Sequence, residues 1–516
     1  MDIWMILQRA ISLYPDKTAL VDGDQAFTYT RVGERAAALA LLFQQKEVKE
    51  GDRIAVLEYN SHQFMETYYA AAGSGAILCP LNYRLSAKEI AFILKDSGAK
   101  WLLVNSSFAP LVVDILLEYP PLEGILWIGN QPSLTVDLPM FEYEEIVNSP
   151  AVDFQPATVE KDKTAHLYYT SGTTGKPKGV MLTNRNICLH ALGTIAELKL
   201  VDADVWGHIA PMFHLADAWA VFAITWVGGR HVMVKNFDPE TVMGTIEKQR
   251  ITISNLIPTM LNLMVKHPRI GAYDYSSFRV ILSGGAPIAP ELVRTIMEAF
   301  GCDYIQTYGM TETSPYLTLS ILKEHLQNLP AEEQMFYKVK TGRPFVAVEL
   351  KVVDLDGVPV VPDDQQVGEI WVRGDTVTPG YWNRPEETET AFHQGWLCTG
   401  DLAVVDSEGY VNIVDRKKDM IVSGGENIYS IEVENVLYMH AKILEAAVFG
   451  VPDPKWGEAV KAVVVLKEGE HISVAELLGF CKQHLSSYKV PKSVEFITEL
   501  PKTGSGKITK KVLRES

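Results

Sequence analysis

Between residues 26 and 310 short apolar runs recur, separated by stretches long enough to form helices, and this rhythm leaves the chain few architectures. The runs DRIAVLE (52–58), WLLVN (101–105), GILWIG (124–129), AHLYYT (165–170), RHVMVK (230–235), ITISNL (251–256), FRVILS (278–283) and DYIQTY (303–308) have the length and content of buried strands. Helical patterns lie between them. One opens at Ser86-Ala87-Lys88-Glu89, where the serine can cap and the glutamate can reach back to it. Alternation of this kind predicts layered α/β structure with mainly parallel sheets. At 516 residues the chain exceeds what one core serves, so two or more lobes are expected.

After residue 345 the texture changes to VAVELKVVD and VGEIWVRG around Asp356-Gly357, then to LAVVD and YVNIV around Glu408-Gly409, which read as hairpins of a β-rich module. A charged stretch, DRKKD (415–419), reads on charge alone as a solvated turn. Beyond it the pattern gives two or three strands (443–449, 460–466, 493–497) and two helices, enough for a small α+β lobe. The sequence shows no internal repeat and no low-complexity linker.

A net charge of −17 argues against nucleic acid and anionic membranes as partners, so an anionic substrate must be met by a local basic cluster. The five cysteines, Cys79, Cys188, Cys302, Cys398 and Cys481, are scattered without a C-x-x-C pair and read as reduced core residues. The amino terminus lacks a basic region, and the apolar run from Ala218 to Gly229 is short of the ~20 residues that span a bilayer. The chain ends Arg514-Glu515-Ser516 rather than in the peroxisomal S-K-L, and a cytoplasmic enzyme is expected.

The strongest local signal is YYTSGTTGKPKG (168–179). Its hydroxyls (Thr170, Ser171, Thr173, Thr174), glycines (Gly172, Gly175) and lysines (Lys176, Lys178) are what a phosphate-holding loop requires. It is not a P-loop, because the two glycines are too close and Pro177 follows Lys176 where Ser or Thr should stand. SGGAPI (283–288) and YGMTE (308–312) follow predicted strands, where α/β sheets bind ligands, although each alone reads as an ordinary turn. Tyr308 offers a stacking face, Thr311 a hydroxyl and Glu312 a hard oxygen suited to Mg²⁺. WLCTGD (396–401), DRKKDMIVSGGENI (415–428) and PKTGSGKITK (501–510) complete the set.

Together and in this order, these six motifs resemble the adenylate-forming superfamily of acyl-CoA synthetases, firefly-type luciferases and peptide-synthetase adenylation domains. The resemblance covers nearly the whole chain. It implies an N-terminal adenylation domain (1–415), a hinge (416–419) and a mobile C-terminal lid (420–516). It implies ATP with Mg²⁺, a carboxylic acid and coenzyme A as the molecules bound, and AMP-forming acid–thiol ligation as the activity.

By resemblance, the loop 170–178 holds the β and γ phosphates, Tyr308 stacks on adenine, and the backbone of Gly284, Gly285 and Ala286 covers it. Thr311 and Glu312 serve phosphate and Mg²⁺, Asp401 binds the ribose hydroxyls with Arg416 beside it, and Lys507 is the adenylation lysine. His214, which alone reads as a core histidine, becomes a gate or carboxylate-positioning residue, and the acid pocket is expected among His214, Trp219, Gly309 and Met310. Gly424 and Gly425 let the pantetheine arm pass, and Lys418 is the pivot of a rotating lobe. Carrier-protein loading, luciferase-like oxygenation and non-catalytic nucleotide binding stand as rival readings. The identity of the acid and the oligomeric state, a homodimer included, stay open.

Overall fold

In the computed structural model, which describes residues 2–119, 122–134, 137–170, 176–285, 288–502 and 508–515, all eight predicted runs form strands. Arg53–Leu57 begins a seven-stranded sheet and is flanked by Ile77–Pro80 on one side and Ala99–Asn105 on the other. Gly124–Ile128 and Met140–Glu142 extend the second side, while Thr164–Thr170 and Lys178–Thr183 extend the first. Every pair is parallel except the last, in which Thr170 lies opposite Lys178.

The second sheet has nine strands and is wound the same way. Val205–His208 is flanked by Arg230–Met233 on one side and by Ile253–Asn255, Val280–Gly284 and Asp303–Gly309 on the other. The two sheets share a topology although their sequences show no repeat. In such sheets ligands gather beyond the carboxyl ends of the strands, where the winding reverses. Asn60, just past the first reversal strand, donates to the carbonyls of His208 and Ala210 at 2.9 Å each and accepts from the Met212 amide at 2.8 Å. A single buried amide side chain therefore ties the two reversal points together.

The helix His62–Ser74 lies buried between the sheets. The Tyr68 hydroxyl donates to the Met212 carbonyl at 2.9 Å, so Tyr168, 2.8 Å away, must donate to it in turn. Phe64, Tyr68 and Tyr69 are fully buried, each contributing on the order of 1.5–3 kcal/mol if it counts as a large apolar side chain. At the helix start His62 Nδ1 is 2.8 Å from Asp22. One turn on, Glu66 and the more exposed Glu144 share the buried Arg35 guanidinium at 2.7–2.9 Å.

The helix Ala87–Ser97 has the predicted capping box and stops at Gly98, whose φ of +64° lies where other residues are disfavoured. The apolar run 218–229 lies in the helix Leu215–Val227 up to its end, where Gly228 caps it; the helix is buried nearly all round, and among the described residues no helix is long and apolar enough to cross a membrane. Four cysteines are buried, Cys398 is half-buried, and all five are free.

The β-rich module is an antiparallel sheet in which Glu349–Val353, Gly368–Arg373, Trp396–Val405 and Val411–Arg416 are successive neighbours. The Asp356-Gly357 turn returns only as far as Pro359, opposite Val353; the full partner strand comes later, at Gly368. The final lobe departs from expectation. It holds five strands and three helices among the described residues, not two or three strands and two helices. The surplus elements, Ile421–Ser423, Glu426–Ile428 and Lys510–Glu515, are too short for periodicity to register.

Candidate active site

Tyr308 is near the end of the strand Asp303–Gly309, on the sheet side where ligands are expected. Its hydroxyl donates to Asp401 Oδ2 at 2.7 Å, a partner 93 residues away. Asp401 sits opposite Arg416 in the antiparallel pair, with Arg416 Nε 3.2 Å from Asp401 Oδ1. Three residues from three motifs thus meet. Burial, reinforced by the Asp401 charge, pushes the Tyr308 phenol far up, so it stays a neutral donor. The arginine side chain is 52 % exposed, so the ion pair adds little stability and the guanidinium stands at the rim.

Two glycines here have a packing reason of their own. A Cβ at Gly309 would lie 1.9 Å from the Pro315 carbonyl oxygen, and one at Gly284 would lie 2.4 Å from Thr307 Oγ1. Gly285 has φ +84°, while Ala286 lies outside the described residues. Met310 is half-buried against the β-rich module.

Thr311–Thr313 form a single 3₁₀ turn directly after Met310. Glu312 on this turn is 7 % exposed, and its Oε1 accepts from the Tyr381 hydroxyl at 2.9 Å. The Tyr381 ring carries Lys178 Nζ at 4.9 Å from its centre. Thr170 and Lys178 bracket the glycine-rich loop as opposed strand residues; Lys176 is exposed. Ser171, Gly172, Thr173, Thr174 and Gly175 lie outside the described residues. Among the described residues no cluster of three or more His, Cys, Asp or Glu could hold a metal. One carboxylate with a neighbouring hydroxyl fits a hard cation that brings most of its oxygens with it, as Mg²⁺ on ATP does. Tyr381 was invisible to the sequence reading; the only local sign is the Gly380-Tyr381 step, with Gly380 at φ +144°.

His214 caps the helix Leu215–Val227 through its backbone carbonyl, which accepts from the amides of Asp217 and Ala218, and its ring lies 4.5 Å from that of Phe213. Trp219 is core: it is 1 % exposed, packed 4.8 Å from Trp206 and 5.4 Å from Tyr316. A polar chain, missed in the sequence, holds this helix at both ends. Asp217 accepts from His208 Nδ1 at 2.5 Å and from Trp206 Nε1 at 3.2 Å; His208 Nε2 lies 2.9 Å from His231 Nδ1, and His231 Nε2 lies 3.0 Å from Thr225. A cleft of about 400 Å³ is lined by Tyr83, Arg84, Phe237 and Met260 among others, and the Tyr83 ring lies 5.1 Å from that of Phe213.

Lys418 follows the strand Val411–Arg416 in a turn closed by the amides of Asp419 and Met420 on the Arg416 carbonyl. Gly424 and Gly425, at φ +62° and +87°, form a two-residue hairpin turn. The Gly424 amide donates to the Trp456 carbonyl, and a Cβ at Gly424 would lie 2.8 Å from the Trp456 ring. On either side of residues 416–419, Asp415 accepts from both the amide and the hydroxyl of Ser430. Lys510 donates to that hydroxyl at 2.6 Å and lies 2.8 Å from Glu434. Lys507, three residues earlier, is outside the described residues.

The comparisons with known proteins agree over the whole chain. The feruloyl-CoA synthase of an Amycolatopsis species is 38 % identical over 511 residues, covering 98 % of this chain and 97 % of that protein. The long-chain-fatty-acid–CoA ligase of Thermus thermophilus is 35 % identical over 525 residues, covering 100 % and 95 %. Among solved structures, the o-succinylbenzoate CoA synthetase of Bacillus subtilis superposes with a TM-score of 0.85 in complex with its acyl-adenylate intermediate, at 31 % identity and covering 100 % of this chain and 98 % of that one. Its complex with ATP and a magnesium ion gives a TM-score of 0.83, also at 31 % identity, covering 100 % and 99 %. Residues 7–382 match the family described as AMP-binding enzyme, residues 432–507 match the AMP-binding enzyme C-terminal domain, and the chain belongs to that family.

Proposed function

We propose that the chain is an AMP-forming acid–thiol ligase, converting a carboxylate and ATP to acyl-AMP and pyrophosphate and then passing the acyl group to coenzyme A. The observation that carries this reading is the convergence of Tyr308, Asp401 and Arg416, with Glu312 on the next turn, in a chain similar along its length to acyl-CoA ligases.

A carboxylate repels thiolates and has no leaving group, so it must first be made an electrophile. Its oxygen attacks the α-phosphorus of ATP, and pyrophosphate leaves. The resulting mixed anhydride presents a carbonyl to the thiol, and AMP leaves. The residues divide this work. Tyr308 stacks on the base, with the backbone of Gly284, Gly285 and Ala286 over it; Asp401 accepts from the ribose hydroxyls, and Arg416 covers ribose and phosphate. Residues 170–178 hold the β and γ phosphates. Magnesium, brought in with ATP as part of the substrate, would neutralise charge as the anions approach; Glu312 would hold it and Thr311 would meet the phosphate. Lys507 supplies positive charge where the transition state concentrates negative charge. His214, at the start of the helix Leu215–Val227, positions the acid carboxylate.

The second step uses the glycine turn at Gly424 and Gly425, along which the pantetheine arm passes, after residues 420–516 rotate on Lys418 against residues 1–415. The similar proteins named above are a feruloyl-CoA synthase, a long-chain-fatty-acid–CoA ligase and an o-succinylbenzoate CoA synthetase, so the acid of this chain is an aryl, cyclic or fatty acid still to be identified. The absence of a membrane-crossing helix among the described residues and the reduced cysteines favour the cytoplasm. The test is pyrophosphate release over a panel of such acids, with and without coenzyme A. Release that depends on an acid, with turnover only when coenzyme A is added, is expected. Release coupled to oxygen consumption, or to a carrier protein but not to coenzyme A, would displace this reading.

A further inference from the structure

The segment between the strands Gly368–Arg373 and Trp396–Val405 does more than connect them. Gly380 and Trp382 pair through their backbones with Met181 and Gly179, so the segment lies alongside the strand that follows the phosphate loop. In the same stretch the Thr378 amide donates to the Glu312 carbonyl at 2.7 Å, and the Thr378 hydroxyl donates to the Met181 carbonyl at 2.6 Å. One short segment is thus fastened to both the 3₁₀ turn and the loop strand. Gly380 permits the close passage: its φ is +144°, and a Cβ there would lie 2.4 Å from Thr388 Cγ2.

From this clamp Tyr381 projects between two charges of opposite sign. Its hydroxyl donates to Glu312 Oε1 at 2.9 Å, and the Lys178 ammonium stands 4.9 Å from its ring centre. We propose that Tyr381 is a positioning residue for adenylation, whose hydroxyl fixes the orientation of the Glu312 carboxylate toward the magnesium of MgATP while its ring seats Lys178 at the phosphates. The inference rests on the reading of Glu312 as the metal-facing carboxylate. The terminal torsion of a glutamate is broad, and a bond to one named oxygen narrows it. A bond to a charged acceptor is also stronger than a neutral one. The ammonium over the ring face is held by the ring's negative quadrupole without being neutralised, so its full charge remains for an anion. Two groups from distant parts of the chain, 134 residues apart, are therefore set by one side chain.

Metal binding gives a test independent of turnover. Mn²⁺ is titrated by electron paramagnetic resonance onto the full-length protein holding a non-hydrolysable ATP analogue, and metal-free analogue binding is measured separately in chelator. Tyr381→Phe keeps the ring and removes the hydroxyl. It is expected to raise the Mn²⁺ midpoint about ten- to a hundredfold, the range for losing a partner of a metal ligand, and to leave metal-free binding within about twofold. Tyr381→Leu, which also removes the ring, should weaken metal-free binding as well. If Glu312→Gln shifts the midpoint and Tyr381→Phe does not, Tyr381 positions nothing and the proposal fails while the role of Glu312 stands. If neither shifts it, the reading of Glu312 fails first. If Tyr381→Phe weakens metal-bound and metal-free binding equally, the hydroxyl serves the fold and the proposal is overturned.

Discussion

Replacing Lys510 by methionine removes a cation from the corner where the strand Val411–Arg416, the helix Ser430–Tyr438 and the helix Lys510–Glu515 meet. Its ammonium lies 2.8 Å from Glu434 Oε1 and donates to Ser430 Oγ at 2.6 Å, and the two ion-pair side chains are only 15 % and 14 % exposed. Ser430 is fully buried, and its hydroxyl donates a hydrogen bond to Asp415. Burial pushes the carboxyls of both Glu434 and Asp415 up, and Lys510 is the cation that opposes this in each. An exposed pair would contribute at most about 1 kcal/mol, whereas removing one member of a buried pair costs about 3–5 kcal/mol. Partial exposure places Lys510→Met near the lower end, about 3 kcal/mol, which is roughly a hundredfold in an opening equilibrium. Native-state hydrogen exchange of the amides in Ser430–Tyr438 reads this directly: protection should fall about a hundredfold, and adding Glu434→Gln should restore much of it. A fall of less than about threefold would put the pair in the surface class and refute the reasoning.

Lys507→Ala should slow adenylation by about 10²- to 10³-fold and spare thioester formation from supplied acyl-AMP; equal loss in both would make the lysine structural. Lys418→Pro, by holding φ near about −65°, should leave a single turnover of pyrophosphate release near normal and cut conversion of acyl-AMP to thioester by orders of magnitude, whereas Lys418→Ala stays close to wild type. If neither half-reaction drops in the proline variant, the pivot lies elsewhere. Burial opposes charge on His62, but Asp22 and Glu144 outweigh it and raise the imidazolium to about 9 from its ordinary 6.5. The folded value is the higher one, so this stabilisation is complete below pH 6.5 and is lost as pH rises through about 9, up to about 3 kcal/mol. Denaturant unfolding should show that loss, and His62→Gln should flatten it; an unchanged slope would remove His62 as its source.

What could be read before folding was local. The eight strand runs are legible because a buried parallel strand must be apolar over its length, and Ser86-Ala87-Lys88-Glu89 because its capping partners lie three residues apart. The shared winding of the two large sheets left no trace, since it is a property of connection order and not of composition. Tyr381, the Asp217–His208–His231–Thr225 chain and the Asp415–Ser430–Lys510 corner were missed for one physical reason. Each is a polar group whose meaning is its partner, and the partners lie on other elements: Glu312 is 69 residues from Tyr381, and Ser430 is 80 from Lys510. Tyr308, Asp401 and Arg416 were foreseen as a group through resemblance alone, and the fold brings them together through strand register.

The central claim is that one chain makes an acyl-adenylate and then resolves it with a thiol, and the fate of the acid's own oxygen tests it most directly. If a carboxylate oxygen attacks the α-phosphorus, the bridge between acyl group and AMP comes from the acid. Thiol attack at the carbonyl then expels AMP with that oxygen attached. An acid accepted in the pyrophosphate assay, labelled with heavy oxygen in its carboxylate, should yield one labelled oxygen per AMP by mass spectrometry after a full turnover with coenzyme A, and pyrophosphate with none. Label in inorganic phosphate alongside ADP would mean an acyl phosphate intermediate, and AMP free of label would mean that no acyl-adenylate lies on the path; either result contradicts the account.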